Sequence, residues 1–205
     1  MAAQTPGRPN PTRKVLWIGA AAALLMAGWG TLGWYLTNGF QMAHEMPSVG
    51  GPFALVGTNG QTVTDKDFAG KPRAMFFGFT YCPDVCPTTL ADVGAWMKAL
   101  GDKADDIRFI FVSIDPERDT PELMRDYLTA FDPRITGLTG SVQQIDAIKR
   151  AYRVYAKKVP TEGGDYTMDH TAGVYLFDKD GNFAGTVNYT EPTDEAVKKI
   201  RSVLG

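Results

Sequence analysis

The stretch that decides the fold is Phe76-Phe77-Gly78-Phe79-Thr80-Tyr81-Cys82-Pro83-Asp84-Val85-Cys86-Pro87-Thr88-Thr89-Leu90, which holds both cysteines of the chain. Its first part is an apolar, aromatic run with the length of a buried strand. Apolar residues then return at helical spacing from Ala91 to Leu100. The pattern predicts a strand, a sharp turn and a helix, so both thiols lie at the carboxyl end of the strand. Open α/β sheets place ligands and chemistry at that edge.

The two cysteines are four residues apart in sequence. Their sulfurs can converge only if the intervening turn is helix-like, because extended chain would separate the Cβ atoms beyond the about 3.5–4.5 Å that a disulfide needs. One turn therefore allows either a disulfide or a shared metal ion. Pro87 suits the first helical position, which would set Cys86 beside the unpaired N–H groups and the positive end of the helix dipole. That environment favours thiolate.

The rest of the chain alternates between strand and helix patterns. The apolar runs at 73–80 and 107–114 predict interior strands that are buried on both faces of a mainly parallel sheet. The order of the elements predicts a layered α/β domain. The other predicted elements are a hairpin over 53–64 around Thr58-Asn59-Gly60, a helix from Pro121 to about Ala130 capped by Thr120, a helix capped by Ser141 to about Tyr152, a short strand over 154–159, strands over 172–177 and 182–187 around Asp180-Gly181, and a final helix capped by Thr193 to about Val203.

A charge-free apolar segment runs from Val15 to Leu36, about the length that spans a bilayer as a helix. Trp17, Trp29 and Trp34 lie toward its ends, as interfacial anchors do. The alternative is a cleaved signal peptide, whose apolar region is shorter. Basic residues precede the segment, so the amino terminus is expected in the cytoplasm and the remainder on the other side. The predicted parts are a cytoplasmic segment at 1–14, a transmembrane anchor at 15–36, a linker at 37–52 and a globular domain at 53–205.

The charge and the predicted compartment limit the partners. The chain has 23 acidic and 21 basic residues, and three of the basic ones precede the anchor, so the exported part is acidic and does not favour nucleic acid. An exported compartment is usually oxidising, which makes a disulfide the default state of the cysteines. Met42, His44 and Met46 in the linker could hold copper through thioether and imidazole groups, or they could simply be solvated.

His170, one of two histidines, is the candidate third ligand. It is predicted in a polar loop at the start of a strand, where a structural or exposed histidine is the alternative. Asp169 could orient the imidazole or cap a turn. Two thiolates and one imidazole form a soft site that favours copper, and three protein ligands are fewer than the four usual in structural zinc sites. A catalytic zinc site remains open.

Three blocks of the sequence together resemble the Sco/SenC copper-binding proteins of cytochrome oxidase assembly, namely 78–87, 112–120 and 169–171. That family carries a thioredoxin-like fold on one membrane anchor. The resemblance implies that 53–205 is a thioredoxin-like domain that binds copper, as Cu(I), Cu(II) or both, through Cys82, Cys86 and His170. It also implies copper delivery to the CuA-bearing subunit of cytochrome c oxidase, or thiol reduction of the cysteines there. Another copper chaperone or a thioredoxin-like reductant is a further implied partner.

Three functions stay open. They are copper delivery, thiol-disulfide exchange in which Cys82 or Cys86 attacks a partner disulfide, and sensing of copper or redox state. His170-Thr171 occupies the stretch where thioredoxin-like oxidoreductases carry a cis-proline, which suggests that a redox scaffold has acquired a metal ligand. The short basic amino terminus favours a bacterial inner membrane with the domain in the periplasm over a mitochondrial inner membrane facing the intermembrane space.

The sequence leaves the roles of other residues near the cysteines less specific. Asp84 could tune the thiolates or merely form the turn. Asp115 begins a charged stretch that ends at Asp119 and could line the rim of the site, or form a local salt-bridged turn. Phe79, Tyr81 and Trp96 are predicted to lie in the core.

Overall fold

The computed structural model describes residues 23–36 and 49–205, which belong to two separate compact units. Residues 23–36 form a helix, α1, whose side chains are exposed. No helix in these two ranges combines the length and the apolar character needed to cross a membrane. The predicted segment at 1–14 lies outside the described residues, as do part of the predicted anchor at 15–36 and most of the predicted linker at 37–52, including Met42, His44 and Met46.

A seven-stranded sheet forms the centre of the larger unit, with the strand order β2-β1-β5-β4-β3-β8-β9. Strands β6 and β7 form a separate two-stranded sheet. The strands are β1 (Ala54–Gly57), β2 (Thr62–Thr64), β3 (Arg73–Gly78), β4 (Arg108–Ser113), β5 (Thr136–Thr139), β6 (Ala156–Pro160), β7 (Tyr166–His170), β8 (Val174–Phe177) and β9 (Phe183–Val187).

The prediction of a mainly parallel sheet is wrong. In residues 49–205, the pairs β3–β4 and β4–β5 are parallel, whereas β1–β2, β1–β5, β3–β8 and β8–β9 are antiparallel. Strands β3 and β4 are buried almost throughout because they lie in the middle of the sheet. Burial on both faces indicates that a strand lies in the middle of the sheet, but it does not indicate whether the neighbouring strand is parallel or antiparallel.

Residues 49–205 contain four α-helices: α2 (Val85–Leu100), α3 (Pro121–Leu128), α4 (Val142–Ala151) and α5 (Thr193–Leu204). Two short 3-10 helices cover Asp65–Phe68 and Gly101–Asp106. Thr120 caps α3 by accepting a hydrogen bond from the Leu123 N–H at 3.2 Å, and Ser141 caps α4 within a capping box, as predicted. Thr193 does not cap α5; it is the first helical residue after Pro192, which makes no side-chain cap.

Helix α2 begins two residues earlier than predicted. Asp84 is its N-cap residue, so Pro87 is the third helical residue and Cys86 lies inside the first turn. Proline is tolerated there because the N–H groups of a first turn have no partner within the helix.

Two short strands escaped the sequence patterns. Strand β5 lies between β1 and β4, and Gly137 within it approaches α3 so closely that a Cβ atom would lie 2.5 Å from Leu128 Cδ1. Strand β7 covers most of the stretch predicted as a polar loop, and it pairs antiparallel with β6, with His170 opposite Ala156. His170 is therefore the last residue of a hairpin strand.

The core lies on both sides of β3 and β4 and includes Phe76, Phe77 and Phe111. Phe79 and Trp96 are buried within it, as predicted. The same prediction for Tyr81 is wrong, because 56% of its surface is exposed. The ring of Tyr81 instead lies against the guanidinium of Arg118, a cation–π contact with 4.8 Å between the Arg118 Cζ and the ring centre.

Candidate metal centre

The candidate centre lies at the carboxyl ends of the neighbouring strands β3 and β4. Parallel pairing sets Gly78, the last residue of β3, opposite Ser113, the last residue of β4. The loops that follow are joined by Asp119, a buried carboxylate that accepts hydrogen bonds from the Thr80 hydroxyl and the Ser113 hydroxyl, each at 2.6 Å. Burial raises the pKa of Asp119. These contacts hold the segment before Cys82 in a defined position.

Neither cysteine is in a disulfide; Cys82 lies in the turn before α2 and Cys86 in the first turn of that helix. Cys86 is fully buried, whereas Cys82 is partly exposed. The backbone N–H of Cys86 donates a hydrogen bond to Cys82 Sγ at 3.3 Å. Gly78 lies directly beside the buried sulfur: a Cβ atom at this position would be 2.8 Å from Cys86 Sγ and 2.8 Å from Phe111 Cε2. The absence of a side chain at Gly78 therefore makes room for Cys86.

The two thiols ionise very differently. The pKa of Cys82 is lowered to about 4, chiefly because the Cys86 thiol hydrogen-bonds to its sulfur, and the His170 ring and backbone N–H groups add to the effect. The same hydrogen bond, together with burial, raises the pKa of Cys86 above its ordinary range. The contacts of the metal-free protein therefore favour thiolate at Cys82 over thiolate at Cys86.

His170 approaches the cysteines from the hairpin, with 3.8 Å between its Nε2 and Cys86 Sγ. Its Nδ1 lies 2.9 Å from the carbonyl oxygen of Thr171. A carbonyl oxygen only accepts, so the Nδ1–H donates this hydrogen bond, and in the neutral ring Nε2 is then the nitrogen with the lone pair. The ring meets Phe79 edge-on, with 5.8 Å between ring centres. Asp169, predicted either to orient the imidazole or to cap a turn, is exposed. The carbonyl oxygen of Thr171 is the group that orients the His170 ring.

The separation of Cys86 and His170 fits a shared metal ion. Bonds of about 2.3 Å to sulfur and about 2.0 Å to nitrogen, as in zinc sites, put the two ligand atoms about 3.7 Å apart at an angle of 120°. However, no group of three or more His, Cys, Asp or Glu side chains in residues 23–36 and 49–205 is already arranged to hold a metal.

The remaining predicted residues lie around this centre. Asp84 is exposed and lies 3.4 Å from the Thr88 hydroxyl, as a turn residue would. Asp115 is fully buried, so it does not line an open rim. Its carboxylate accepts hydrogen bonds from Arg118 Nε at 2.5 Å and from the Tyr166 hydroxyl at 2.8 Å. The salt-bridged turn is therefore the alternative that the structure supports.

Tyr166 was missed by sequence reasoning, because it falls in a stretch that reads as a polar loop. Its side chain joins the hairpin strand β7 to the loop after β4. The available signal was an aromatic residue four positions before His170, which alone does not indicate a contact with Arg118.

Comparison with known proteins decides the family. Residues 41–205 match the family model described as SCO1/SenC. The chain belongs to the SCO1/SenC family. The resemblance drawn from the three sequence blocks is thereby confirmed, and the α/β fold described above is the thioredoxin-like fold of the Sco proteins.

Solved Sco structures are similar over most of the described domain. The structure of Bradyrhizobium japonicum ScoI with copper bound has 50% sequence identity and a TM-score of 0.71, and the match covers 76% of this chain and 99% of that one. BsSco, described as having a disulfide switch and as a member of the Sco family of cytochrome c oxidase assembly proteins, has 27% identity and a TM-score of 0.63 over 78% of this chain and 95% of that one.

Among curated Sco relatives, the human protein SCO1 homolog, mitochondrial, is 44% identical over 144 residues, which are 67% of this chain and 46% of the human protein. The chain spans about half the length of the first curated relatives it matches.

Proposed function

We propose that this protein is a membrane-anchored copper metallochaperone. It holds copper through Cys82, Cys86 and His170 and delivers it to the CuA-bearing subunit of cytochrome c oxidase. The observation that carries the proposal is the 3.8 Å separation between Cys86 Sγ and Nε2 of His170, residues 84 positions apart in sequence. The hydrogen bond from Nδ1 to Thr171 supports it, because a fixed Nδ1 proton leaves Nε2 free to bind a metal.

Copper is the metal that these ligands favour. Thiolate sulfur and imidazole nitrogen form a soft donor set, and a site with three protein ligands suits copper better than a closed structural zinc site. The solved Sco structures that contain copper, from Bradyrhizobium japonicum, Arabidopsis thaliana and yeast, support the same choice.

Transfer begins at Cys82. Its sulfur is partly exposed and already thiolate, so it is the first ligand that copper meets and the last that it leaves. Cys86 releases its proton as the metal enters, because metal binds the thiolate form. The acceptor's own soft ligands then replace these three in turn. We place the domain in the periplasm of a bacterium, tethered to the inner membrane through 15–36.

A second candidate is reduction of the acceptor's cysteines, which the partly exposed Cys82 thiolate favours. Cys82 attacks one sulfur of the partner disulfide, forming a mixed disulfide and releasing one partner thiolate. Cys86 loses its proton and attacks Cys82, which releases the second partner thiolate and leaves a Cys82–Cys86 disulfide. The partner gains two electrons and this protein loses two. The disulfide switch described for BsSco supports this alternative.

The experiment that tests the proposal is a copper titration of the full chain in detergent, fully reduced, followed by thiolate-to-copper absorption. We expect one copper per chain, and weaker binding in Cys82→Ala, Cys86→Ala and His170→Ala. His44→Ala, which removes the other histidine, is the matched control and should bind like the wild type. Wild-type protein that binds no copper, yet reduces partner disulfides with or without His170, would leave the reductase as the function.

A further inference from the structure

The guanidinium of Arg118 contacts both segments that carry the candidate ligands. Its Nη1 donates a hydrogen bond to the Tyr166 carbonyl oxygen at 2.9 Å, and its Cζ lies 3.8 Å from the centre of the Tyr166 ring. Tyr166 belongs to β7, the strand that ends at His170. Arg118 also lies against the ring of Tyr81, the residue before Cys82, at 4.8 Å. One side chain thus bridges the cysteine loop and the histidine strand.

The hairpin needs such a bridge, because it is not part of the central sheet. Strands β6 and β7 pair with each other as a separate two-stranded sheet, whereas the cysteines follow β3 in the central one. No backbone ladder in residues 49–205 therefore links β7 to β3. Three residues separate His170 from β8, where Val174 pairs with Phe76 of β3, so the carboxyl end of β7 is tied to the central sheet through the chain. The rest of β7, including Tyr166, is held against the cysteine loop by side-chain contacts.

The Asp115 carboxylate fixes the position of the guanidinium. Asp115 is fully buried, and it accepts from Arg118 Nε on one oxygen and from the Tyr166 hydroxyl on the other. A buried carboxylate is costly unless it is paired and hydrogen-bonded, so this arrangement is strongly preferred once formed. Arg118 Nη2 is buried without a hydrogen-bond partner, among aromatic rings that attract the cation through their faces. A planar guanidinium suits this position, whereas a lysine ammonium lacks the fork and the flat face.

We propose that Arg118 is a positioning residue for the metal centre. It does not touch the metal; it holds β7 against the cysteine loop and so keeps His170 Nε2 within bonding range of the copper held by the thiolates. The proposal rests on the proposed function, since it assumes that copper is the cargo. Loss of Arg118 leaves Cys82 and Cys86 as ligands but allows His170 to move away.

The test uses a paired variant, because removing Arg118 alone would leave the Asp115 charge buried and could unfold the chain. In Arg118→Gln combined with Asp115→Asn both charges are removed, and the side-chain oxygen of the introduced asparagine can still accept from the Tyr166 hydroxyl. Arg118→Lys keeps the charge without the fork. Arg125→Gln is the matched control, since Arg125 is exposed and pairs with the exposed Asp126.

Two readouts are measured on the full chain in detergent. The first is copper itself: the rate of copper loss to a chelator, and the nitrogen hyperfine pattern of the Cu(II) form in electron paramagnetic resonance. Groups that orient a metal-bound histidine typically contribute about 10–100-fold in metal affinity. We expect at least tenfold faster copper loss and a weakened nitrogen signal in the paired variant, an intermediate effect in Arg118→Lys, and wild-type behaviour in Arg125→Gln. Unchanged copper loss and nitrogen signal in the paired variant would overturn the proposal.

The second readout needs no metal. Amide hydrogen exchange over 166–170 in the metal-free protein should be faster in the paired variant than in the wild type, with exchange in β3 and β4 unchanged. If the wild type binds no copper, the proposed function fails, and the exchange result still decides the role of Arg118. Unchanged exchange over 166–170 would show that other contacts hold the hairpin, and uniformly faster exchange would mean a general structural role; either result refutes the positioning role.

Discussion

The substitution Gly78→Ala should displace the Cys86 side chain and destabilise the fold around the candidate metal centre. The added Cβ atom would lie 2.8 Å from both Cys86 Sγ and Phe111 Cε2, closer than such contacts occur. Both neighbours are fully buried, so neither can swing into solvent. Overpacking of a buried site costs about 1–3 kcal/mol, and replacing a glycine inside a strand returns about 0.5–1 kcal/mol. We therefore expect Gly78→Ala to lower the free energy of unfolding by about 1 kcal/mol, the middle of a range of about 0–2.5 kcal/mol.

The assay is urea denaturation of the reduced, metal-free chain, compared with Gly94→Ala. Gly94 lies within α2, and nothing is within 4 Å of the position of a Cβ atom there. Alanine at Gly94 should raise stability by about 0.5–1 kcal/mol through helix propensity. Displacement of Cys86 should also weaken copper binding in Gly78→Ala but not in Gly94→Ala. The reasoning is refuted if Gly78→Ala is as stable as the wild type and binds copper equally well.

Three further predictions concern the same centre. Because the pKa of Cys82 is lowered to about 4, its thiolate should predominate above pH 5. Alkylation of Cys82, followed by mass spectrometry, should therefore proceed at a nearly constant rate from pH 5 to 8 and more slowly below pH 4. Cys82 should react before the buried Cys86 at every pH. A Cys82 rate that rose tenfold per pH unit through neutrality would contradict this. His170→Ala should lose copper affinity yet retain reduction of a small disulfide, measured side by side, since the dithiol alone carries the electrons; loss of both activities would count against separate roles. Asp119→Ala should lower the free energy of unfolding by about 2–4 kcal/mol in urea, because the Thr80 hydroxyl and N–H lose their buried acceptor; a loss under 1 kcal/mol would show that the two loops do not depend on it.

Elements with a strong local signal were predictable. The apolar runs indicated β3 and β4, and the hydroxyl residues Thr120 and Ser141 marked the starts of α3 and α4. Each of these signals acts over a few residues, so tertiary contacts do not change its meaning. The direction of neighbouring strands was not predictable in this way, because a strand in the middle of a covered sheet is buried on both faces whether its neighbours are parallel or antiparallel.

Short and polar strands were not predictable from the pattern. Strand β5 has four residues, too few for an alternation to stand out. Strand β7 pairs with β6, which ends only five residues before it, but its polar residues resemble a loop, and its contact with Arg118 joins positions 48 residues apart. Tyr81 was expected in the core because it is aromatic, but a nearby guanidinium gives its ring a partner at the surface.

The candidate ligands were easier to find than the residues that position them. Cysteine and histidine are rare in this chain, so Cys82, Cys86 and His170 stood out from their chemistry. Their assignment as one metal site stays a prediction. Arg118 belonged to a charged stretch that fitted the rim of the site and a local salt-bridged turn equally well. Its hydrogen bond to the Tyr166 carbonyl oxygen forms only because the hairpin folds back against this stretch.

The separate hairpin gives a bound metal a mechanical consequence. A copper ion held by Cys86 and His170 would act as a removable cross-link between α2 and the separate hairpin, joining side chains that lie 84 positions apart in sequence. Because copper would bind the folded site in preference to the unfolded chain, it would stabilise the fold by an amount set by its affinity, about 2.7 kcal/mol when free copper is about 100 times its dissociation constant. The loaded protein would be stiffer and harder to unfold than the empty one, and release of the cargo would loosen it. An acceptor could thus distinguish a full carrier from an empty one by the rigidity of the surface it meets.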